Sequence, residues 1–223
     1  MPTATALKLV SNSNTPKPAE TPSPVLTVTL DGMTFGDKSV LGPLEFRLAP
    51  GETVAITGPS GVGKTTLMRI IAGLEPRHKG HVRRPEKLAM VFQEPTLMRW
   101  RTVADNLAIT LGLTPPEIDI ALEEVGLAGR GSAFPDQLSL GQQRRLSLAR
   151  AFAGKPDLLL MDEPFVSLDA DLSDEMMTLF ERLRDNHPVA TLLVTHAIPE
   201  AARLATRILE LTGQPAQLKP RQT

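Results

Sequence analysis

Residues 53–66, TVAITGPSGVGKTT, place a glycine-rich turn between an apolar run and a helical pattern. The run TVAIT predicts a buried strand, and the pattern KTTLMRIIAGL that begins at Lys64 predicts a helix. The turn between them, Gly58 to Thr65, matches G-x-x-x-x-G-K-[ST] in full and lies in the strand, turn and helix context that the motif requires. We therefore expect a phosphate-binding loop in an α/β domain, rather than a glycine-rich turn without a ligand.

The chemistry of such a loop depends on its backbone and on a few side chains. Glycines let successive N–H groups turn towards phosphate oxygens, and the start of the helix adds partial positive charge. Lys64 should reach the β- and γ-phosphates of a nucleotide, and Thr65 should offer its hydroxyl oxygen to Mg²⁺. The predicted nucleotide contacts from this loop are Gly58, Pro59, Ser60, Gly61, Val62, Gly63, Lys64, Thr65 and Thr66.

Short apolar runs alternate with helical patterns through much of the chain. Three further runs, LAMVF at 88–92, LLLMD at 158–162 and ATLLVT at 190–195, predict buried strands. The earlier runs VLTVTL and LEFRLA precede this alternation and predict an antiparallel layer. The predicted fold is α/β: a P-loop NTPase core with a mostly parallel sheet, an N-terminal antiparallel β layer and an inserted helical subdomain.

Composition sets the expected limits of this domain. Residues 1–24 are rich in Ser, Thr, Asn and Pro, which predicts a disordered leader. Residues 213–223 have a similar composition and predict a flexible tail, which leaves 25–212 as the folded domain. Residues 94–154 contain helical patterns and no strand candidate, so they predict the inserted helical subdomain.

Composition also argues against several classes of function. With 24 basic and 25 acidic residues, the chain lacks the strongly positive balance of a typical nucleic-acid binder. It has no cysteine, which excludes disulfides, cysteine-ligated zinc and thiol catalysis. No apolar run approaches the roughly 20 residues needed to cross a bilayer. We expect a cytosolic protein that can dock on a membrane protein and has no nucleic-acid partner.

Two acids end the run LLLM, at the sheet edge where α/β proteins bind ligands. Asp162 is placed to hold Mg²⁺ directly or through water. Glu163 beside it can take a proton from an attacking water, which favours hydrolysis over transfer to an organic acceptor. The alternative for Glu163 is a solvated acid at a strand end.

The order of these motifs resembles that of the nucleotide-binding subunits of ATP-binding cassette (ABC) transporters over nearly all of residues 25–212. That family carries a phosphate loop, a glutamine after the next long strand, a signature close to L-S-G-G-Q at a helix start, a D-E pair, an S-L-D turn and a strand-ending histidine. This chain has all six in the same order: residues 58–66, Gln93, residues 138–142, Asp162 with Glu163, residues 167–169 and His196. The resemblance implies ATP as the nucleotide, Mg²⁺ as the metal and ATP hydrolysis coupled to transport.

The resemblance also implies roles for two side chains whose function the local sequence alone does not indicate. Gln93 would ligate Mg²⁺ and orient the attacking water, and His196 would hydrogen-bond the γ-phosphate. The implied catalytic residues are Glu163, His196, Gln93 and Lys64, and the implied metal ligands are Thr65, Gln93 and Asp162.

For two further residues, a purely structural role is the alternative to the role that the resemblance implies. Asp169 would steady the phosphate loop of a facing subunit, or it caps the helix that follows it. Phe35 matches the aromatic residue that the family stacks on adenine, or it is a core phenylalanine.

The signature, LSLGQ at 138–142, lies at a predicted helix start with no catalytic partner nearby in sequence. The resemblance implies a second copy of the chain packed head to tail, so that Ser139, Gly141 and Gln142 approach ATP bound to that copy. Leu140 stands where the family usually has glycine. Leucine is compatible with helical backbone angles and strained at a positive φ. Ser139 as an ordinary helix cap is the alternative, and both roles can hold together.

The stretch EPTLMRWRTVADNLAI after Gln93 indicates a partner surface. Met98, Trp100 and Arg101 precede a predicted helix start at Thr102, whose T-x-x-D resembles a capping box. In the family this zone faces a short cytoplasmic helix of the membrane permease, whereas core packing of Trp100 is the alternative. The pattern W-R-T-V-x-D-N is most similar to importer ATPases for nitrate, sulfonate or taurine. It implies a place at the cytoplasmic face of the inner membrane and an indirect link to a solute-binding protein.

Three other functions share part of this pattern. An exporter or lipoprotein-release ATPase shares every catalytic motif. A soluble ABC ATPase of DNA repair or translation usually carries a coiled-coil insertion or two cassettes, for which 223 residues leave no room. A P-loop kinase would need an acceptor-binding lid and would have no use for the signature or for Glu163. We expect an importer ATPase.

Overall fold

The computed structural model describes residues 23–221, and the expected leader lies mostly outside them. The strands are β1 (Leu26–Phe35), β2 (Lys38–Leu41), β3 (Leu44–Leu48), β4 (Thr53–Thr57), β5 (Lys79–Arg83), β6 (Leu88–Val91), β7 (Leu158–Asp162), β8 (Ala190–Val194), β9 (Arg207–Gly213) and β10 (Ala216–Pro220). The α-helices are α1 (Lys64–Ile71), α2 (Val103–Leu111), α3 (Pro115–Glu124), α4 (Leu140–Ala153), α5 (Ala170–Asn186) and α6 (Ile198–Leu204), and a 3-10 helix spans Pro135–Gln137. None of the helices in 23–221 is long and apolar enough to span a bilayer.

The strands join in one curled mixed sheet, which confirms the predicted α/β class. Its order is β3, β1, β2, β10, β9, β4, β8, β7 and β6, with β5 paired to β1. From β9 to β6 the neighbours are parallel, and β1 is antiparallel to β2, β3 and β5. The parallel half therefore carries helices, and the antiparallel half forms the N-terminal layer.

The three central parallel strands are buried on both faces. Every residue of β4, β7 and β8 is buried, as continuous apolar runs predict for strands covered by helices. In β7, Leu158 and Leu160 pack into the cluster that contains α1 and the antiparallel layer, whereas Leu159 and Met161 pack against the helices of the other face. The sheet thus separates two hydrophobic cores and fixes which residues emerge at its edge.

Residues 94–154 contain α2, α3, the 3-10 helix and α4 and no strand. Helix α4 packs against α2, α3 and α5 and against strand β6, so it connects the helical segment to the sheet. The predicted limits of the domain and of its helical subdomain remain a prediction.

Four strands, β2, β5, β9 and β10, have no counterpart among the predicted elements. Strand β5 and the hairpin of β9 and β10 form at the antiparallel side of the sheet. The prediction of a flexible tail from residue 213 was wrong for 216–220, because β10 pairs with β9 along its length and buries Ala216 completely.

Candidate active site

The glycine-rich turn has the backbone that its sequence requires. Gly58 has φ 148° and Gly63, the N-cap of α1, has φ 116°. A Cβ atom on Gly58 would lie 2.3 Å from the carbonyl oxygen of Leu211, and one on Gly63 would lie 2.9 Å from Leu41 Cδ2. Both positions therefore exclude side chains by conformation and by space.

Lys64 is buried at the start of α1 and points back across the turn. Its Nζ donates hydrogen bonds to the carbonyl oxygens of Gly58, at 2.9 Å, and Pro59, at 3.0 Å. The same Nζ lies 3.7 Å from Glu163 Oε1. These three oxygen atoms stabilise the charge of the buried ammonium and hold it against the turn.

Thr65 and Asp162 bring two oxygens together below the turn. The Thr65 hydroxyl donates to Asp162 Oδ1 at 3.4 Å. Burial raises the pKa of the Asp162 carboxyl, and the Thr65 hydrogen bond opposes that rise. Within 23–221 no three His, Cys, Asp or Glu side chains cluster as a metal cage. A hydroxyl and one carboxylate instead suit Mg²⁺ that takes its other ligands from phosphates and water.

Glu163 leaves the sheet directly after β7 in a strained conformation. Its φ is 48°, which is uncommon for a residue with a side chain, and its N–H donates to the carbonyl of Val194 at 2.8 Å. Its Oε2 lies 3.1 Å from His196 Nδ1. Glu163 therefore lies between Lys64, at the start of α1, and His196, two residues beyond β8, and it is not merely a solvated acid.

A cleft of about 410 Å³ lies over the turn. Its lining includes most of the predicted loop contacts, Glu163 and Phe35. The Phe35 side chain is 39% exposed, so the alternative of a core phenylalanine is wrong. Lys38 and Val40 of β2 also line the cleft. Sequence reasoning missed both, because only the pairing of β1 with β2 carries them there.

The signature residues do not line this cleft in the described chain. Ser139 caps α4: its hydroxyl accepts from the Gln142 N–H at 3.2 Å, and Gln142 Oε1 accepts from the Ser139 N–H at 3.0 Å. Leu140 is the first residue of the helix, is 49% exposed, and is absent from the residues with positive φ. The leucine is therefore unstrained.

Two other predicted residues stay apart from the cleft. Gln93 is exposed, two residues beyond β6, and Val91 pairs with Met161, so Gln93 shares the sheet edge with Asp162. Asp169 caps α5 by accepting from the Leu172 N–H at 2.9 Å, as its structural alternative predicts.

Arginines of α4 connect this helix to neighbouring segments in a way that sequence reasoning missed. Arg144 is buried and donates to the carbonyls of Pro164, at 2.8 Å, and Val166, at 3.4 Å. Burial lowers its pKa. Arg150, near the other end of the helix, donates to the carbonyl of Thr96 at 2.8 Å. The adjacent arginines at 144 and 145 were the only sequence signal.

The loop before α2 presents the predicted partner surface. Trp100 is 74% exposed, so core packing is wrong for this side chain. Asn106 is fully buried behind the loop, where it accepts from the Met98 N–H at 2.8 Å and donates to the carbonyls of Met98 and Thr102. The predicted capping box at Thr102 is present.

The sequence of this chain matches a known protein family and several named relatives. The model of the ABC transporter family matches residues 41–166. An aliphatic sulfonates import ATP-binding protein of Granulibacter bethesdensis is 45% identical over 86% of this chain and 81% of its own length. Proteins of the same name are 49% identical in Pseudomonas fluorescens, over 83% of this chain and 73% of the relative, and 44% identical in Rhodococcus jostii, over 83% and 71%.

Proposed function

The chain belongs to the ABC transporter family, and we propose that it hydrolyses ATP to drive import of a small solute of the aliphatic sulfonate type. Family membership and the names of these relatives support an ATPase that powers an importer. The solute class rests on the relatives' names alone. The observation that carries the catalytic part is the position of Glu163 between Lys64 Nζ, at 3.7 Å, and His196 Nδ1, at 3.1 Å.

ATP would bind with its phosphates along residues 58–66 and its base beside Phe35. Lys64 would turn its charge to the β- and γ-phosphates, and the N–H groups at the start of α1 would add to that field. Mg²⁺, held by Thr65 and Asp162 with Gln93 nearby at the sheet edge, would neutralise phosphate charge. The steps of hydrolysis itself would be carried out by side chains of this chain.

Hydrolysis would begin with a water molecule held by His196 and Gln93. Its oxygen attacks the γ-phosphorus, its proton passes to the Glu163 carboxylate, and the bond from that phosphorus to the bridging oxygen of ADP breaks. Lys64 lies close enough to Glu163 to stabilise charge on both the phosphate and the base. The strained φ of Glu163 fits a residue whose position is fixed by function.

Replacement of Glu163 tests this role. Glu163→Gln keeps the size of the side chain and removes its basicity, so we expect ATP binding to persist and hydrolysis to fall by about 10² or more. Phosphate release and binding of a fluorescent ATP analogue are the measurements. Glu86→Gln, at an exposed position, is the matched control. A near-native rate in the Glu163 variant would show that another group is the base.

The isolated position of the signature supports a head-to-tail dimer. Ser139, Gly141 and Gln142 lie at an exposed helix start and do not line the chain's own cleft within 23–221. In the proposed dimer, the Ser139 hydroxyl and the N–H groups of α4 approach the γ-phosphate of ATP on the second copy. Glu163→Gln should then accumulate an ATP-bound dimer, visible by size-exclusion chromatography.

The loop with Met98, Trp100 and Arg101 is the proposed contact with the permease. An exposed tryptophan between arginines on a loop held by Asn106 is a rigid, amphipathic surface suited to a partner groove. This contact would place the chain at the cytoplasmic face of the inner membrane. A solute-binding protein would act on it only through the permease.

A further inference from the structure

The ring of Phe35 is held from one side by a cation. The guanidinium carbon of Arg77 lies 5.0 Å from the ring centroid. Phe35 ends β1, and Arg77 lies in the segment between α1 and β5. Because a guanidinium over an aromatic face is attracted by the ring's electrons, this contact limits the orientations of the ring.

Arg77 is itself fixed by a buried acid. Its Nε donates to Glu75 Oε1 and its Nη2 to Glu75 Oε2, both at 3.0 Å, and its backbone N–H donates to Oε1 at 2.9 Å. Glu75 is only 8% exposed. These hydrogen bonds from Arg77 lower the pKa of Glu75 to about 2, so the acid is charged at neutral pH. The two-point contact fixes the plane of the guanidinium as well as its position.

The ring and the guanidinium face different cavities. Phe35 lines the nucleotide cleft with Lys64 and Thr66, whereas Arg77 lines a separate cavity of about 400 Å³ with Asp31 and Lys79. Phe35 is thus a lining residue of the nucleotide cleft, and Arg77 is a lining residue of the second cavity only. With the guanidinium over one face of the ring, an adenine bound in the cleft would stack on the other face.

We propose that Arg77, anchored by Glu75, is a positioning residue for the adenine of ATP. It orients Phe35 so that one ring face is presented to the base before ATP arrives, which lowers the entropy that binding must otherwise remove. The inference rests on the proposed function, in which ATP occupies the cleft with its base beside Phe35. It adds two residues, from outside every recognised motif, to the determinants of nucleotide affinity.

A double-mutant cycle of Phe35→Ala, Arg77→Met and both together tests this role. Arg77→Met should raise the KM for ATP by roughly two- to fivefold and leave kcat unchanged, because it acts on binding of the base. Phe35→Ala should raise KM further. In the Phe35→Ala background, Arg77→Met should have no additional effect, since the ring through which it acts is gone.

Two controls separate this role from general effects of charge. Arg83→Met removes the same charge from an exposed position of β5 and should leave KM as it is in the wild type. Inorganic tripolyphosphate carries phosphates without a base, so its inhibition constant should be the same in Arg77→Met and wild type.

Three other outcomes would contradict the proposed role of Arg77. Additive effects of the two substitutions would overturn the action of Arg77 through Phe35 and leave the stacking role of Phe35 standing. A wild-type KM for Phe35→Ala would refute that stacking role, and the inference with it, without touching Glu163 or ATP hydrolysis. A fall in kcat for Arg77→Met with unchanged KM would also overturn the inference.

Discussion

Glu200, in the first turn of α6, is a partly buried acid close to the candidate catalytic histidine. Its Oε2 accepts a hydrogen bond from the Thr195 hydroxyl at 2.6 Å, and the same hydroxyl accepts from the Ala197 N–H. Burial raises the pKa of Glu200 despite the Thr195 hydrogen bond and the nearby His196. The side chain is therefore useful as a hydrogen-bond acceptor, while its charge is unfavourable in the folded state.

Glu200→Gln should stabilise the protein at neutral pH. The folded-state pKa of Glu200 lies above its reference value of 4.5, so well below pH 4.5 the acid is protonated in both states and costs nothing. As the pH rises through the raised pKa, the wild type loses stability that the glutamine variant keeps. We expect a gain of under about 1 kcal/mol at pH 7.5, because solvent screens this partly exposed group.

Urea unfolding at pH 7.5 and at pH 3.5 measures the effect. The difference between variant and wild type should be present at the higher pH and close to zero at the lower. Glu123→Gln, exposed on α3, removes the same charge and should change neither value. A variant less stable than the wild type at pH 7.5 would contradict the prediction.

The start of α4 shows how leucine is accommodated in the signature. The residues with side chains and positive φ in the described chain are Lys155, Glu163 and Ser167. Leu140 instead begins the helix, between its cap Ser139 and Gly141. The position needs helical angles, so leucine is the better residue for the isolated helix.

Leu140→Gly should therefore destabilise the protein, by about 0.5 to 1 kcal/mol, because glycine loses more backbone freedom when a helix forms. Thermal unfolding measures this loss. Leu140→Ala keeps helical propensity and removes the exposed side chain, so it should unfold at nearly the wild-type temperature. A higher unfolding temperature for the glycine variant would mean that leucine is strained.

The strands buried on both faces and the antiparallel pair β1 and β3 could be predicted from sequence, whereas β2, β5, β9 and β10 could not. Strands β4, β7 and β8 are apolar throughout because helices cover them. Strand β5, KGHVR, has no fully buried residue and exists because it pairs with β1. No local pattern marks a strand whose partner lies about 50 residues away in the chain.

The residues of the candidate site also divide into those that could be predicted from sequence and those that could not. Lys64, Asp162 and Glu163 could be predicted because each is adjacent to a buried strand or its loop, where position along the chain fixes position in space. Arg77 and Lys38 could not, because hairpin pairing and side-chain contact bring them to Phe35 and the cleft. Neither residue lies in a sequence motif that could have identified it before the fold was known.

The nucleotide cleft and the Trp100 loop are separate surfaces joined by the segment after β6. Gln93 begins this segment at the sheet edge, and Thr96 and Met98 are held by Arg150 and Asn106. The loop is thus fixed to α2 and α4, and a partner that binds Trp100 contacts a rigid part of the protein.

Trp100→Ala should weaken binding of the permease by about 2 kcal/mol or more, roughly thirtyfold in affinity, if the side chain is a central anchor. Co-purification of a polytopic membrane protein with tagged chain, in detergent, is the measurement. Ile120→Ala removes another exposed apolar side chain, 59% exposed on α3, and should retain the partner. Equal retention by both variants would place the contact elsewhere.

Side-chain hydrogen bonds from α4 couple the start of this helix to two neighbouring segments. Its 14 residues span about 21 Å, with the signature at one end, Arg144 bonded to the turn after Glu163, and Arg150 bonded to Thr96 near the other end. A rigid helix that is anchored through both Arg144 and Arg150 cannot tilt at one end alone. Any tilt imposed on Ser139 by a neighbouring molecule must move the turn after Glu163 and Thr96 together, or break the hydrogen bonds that hold them.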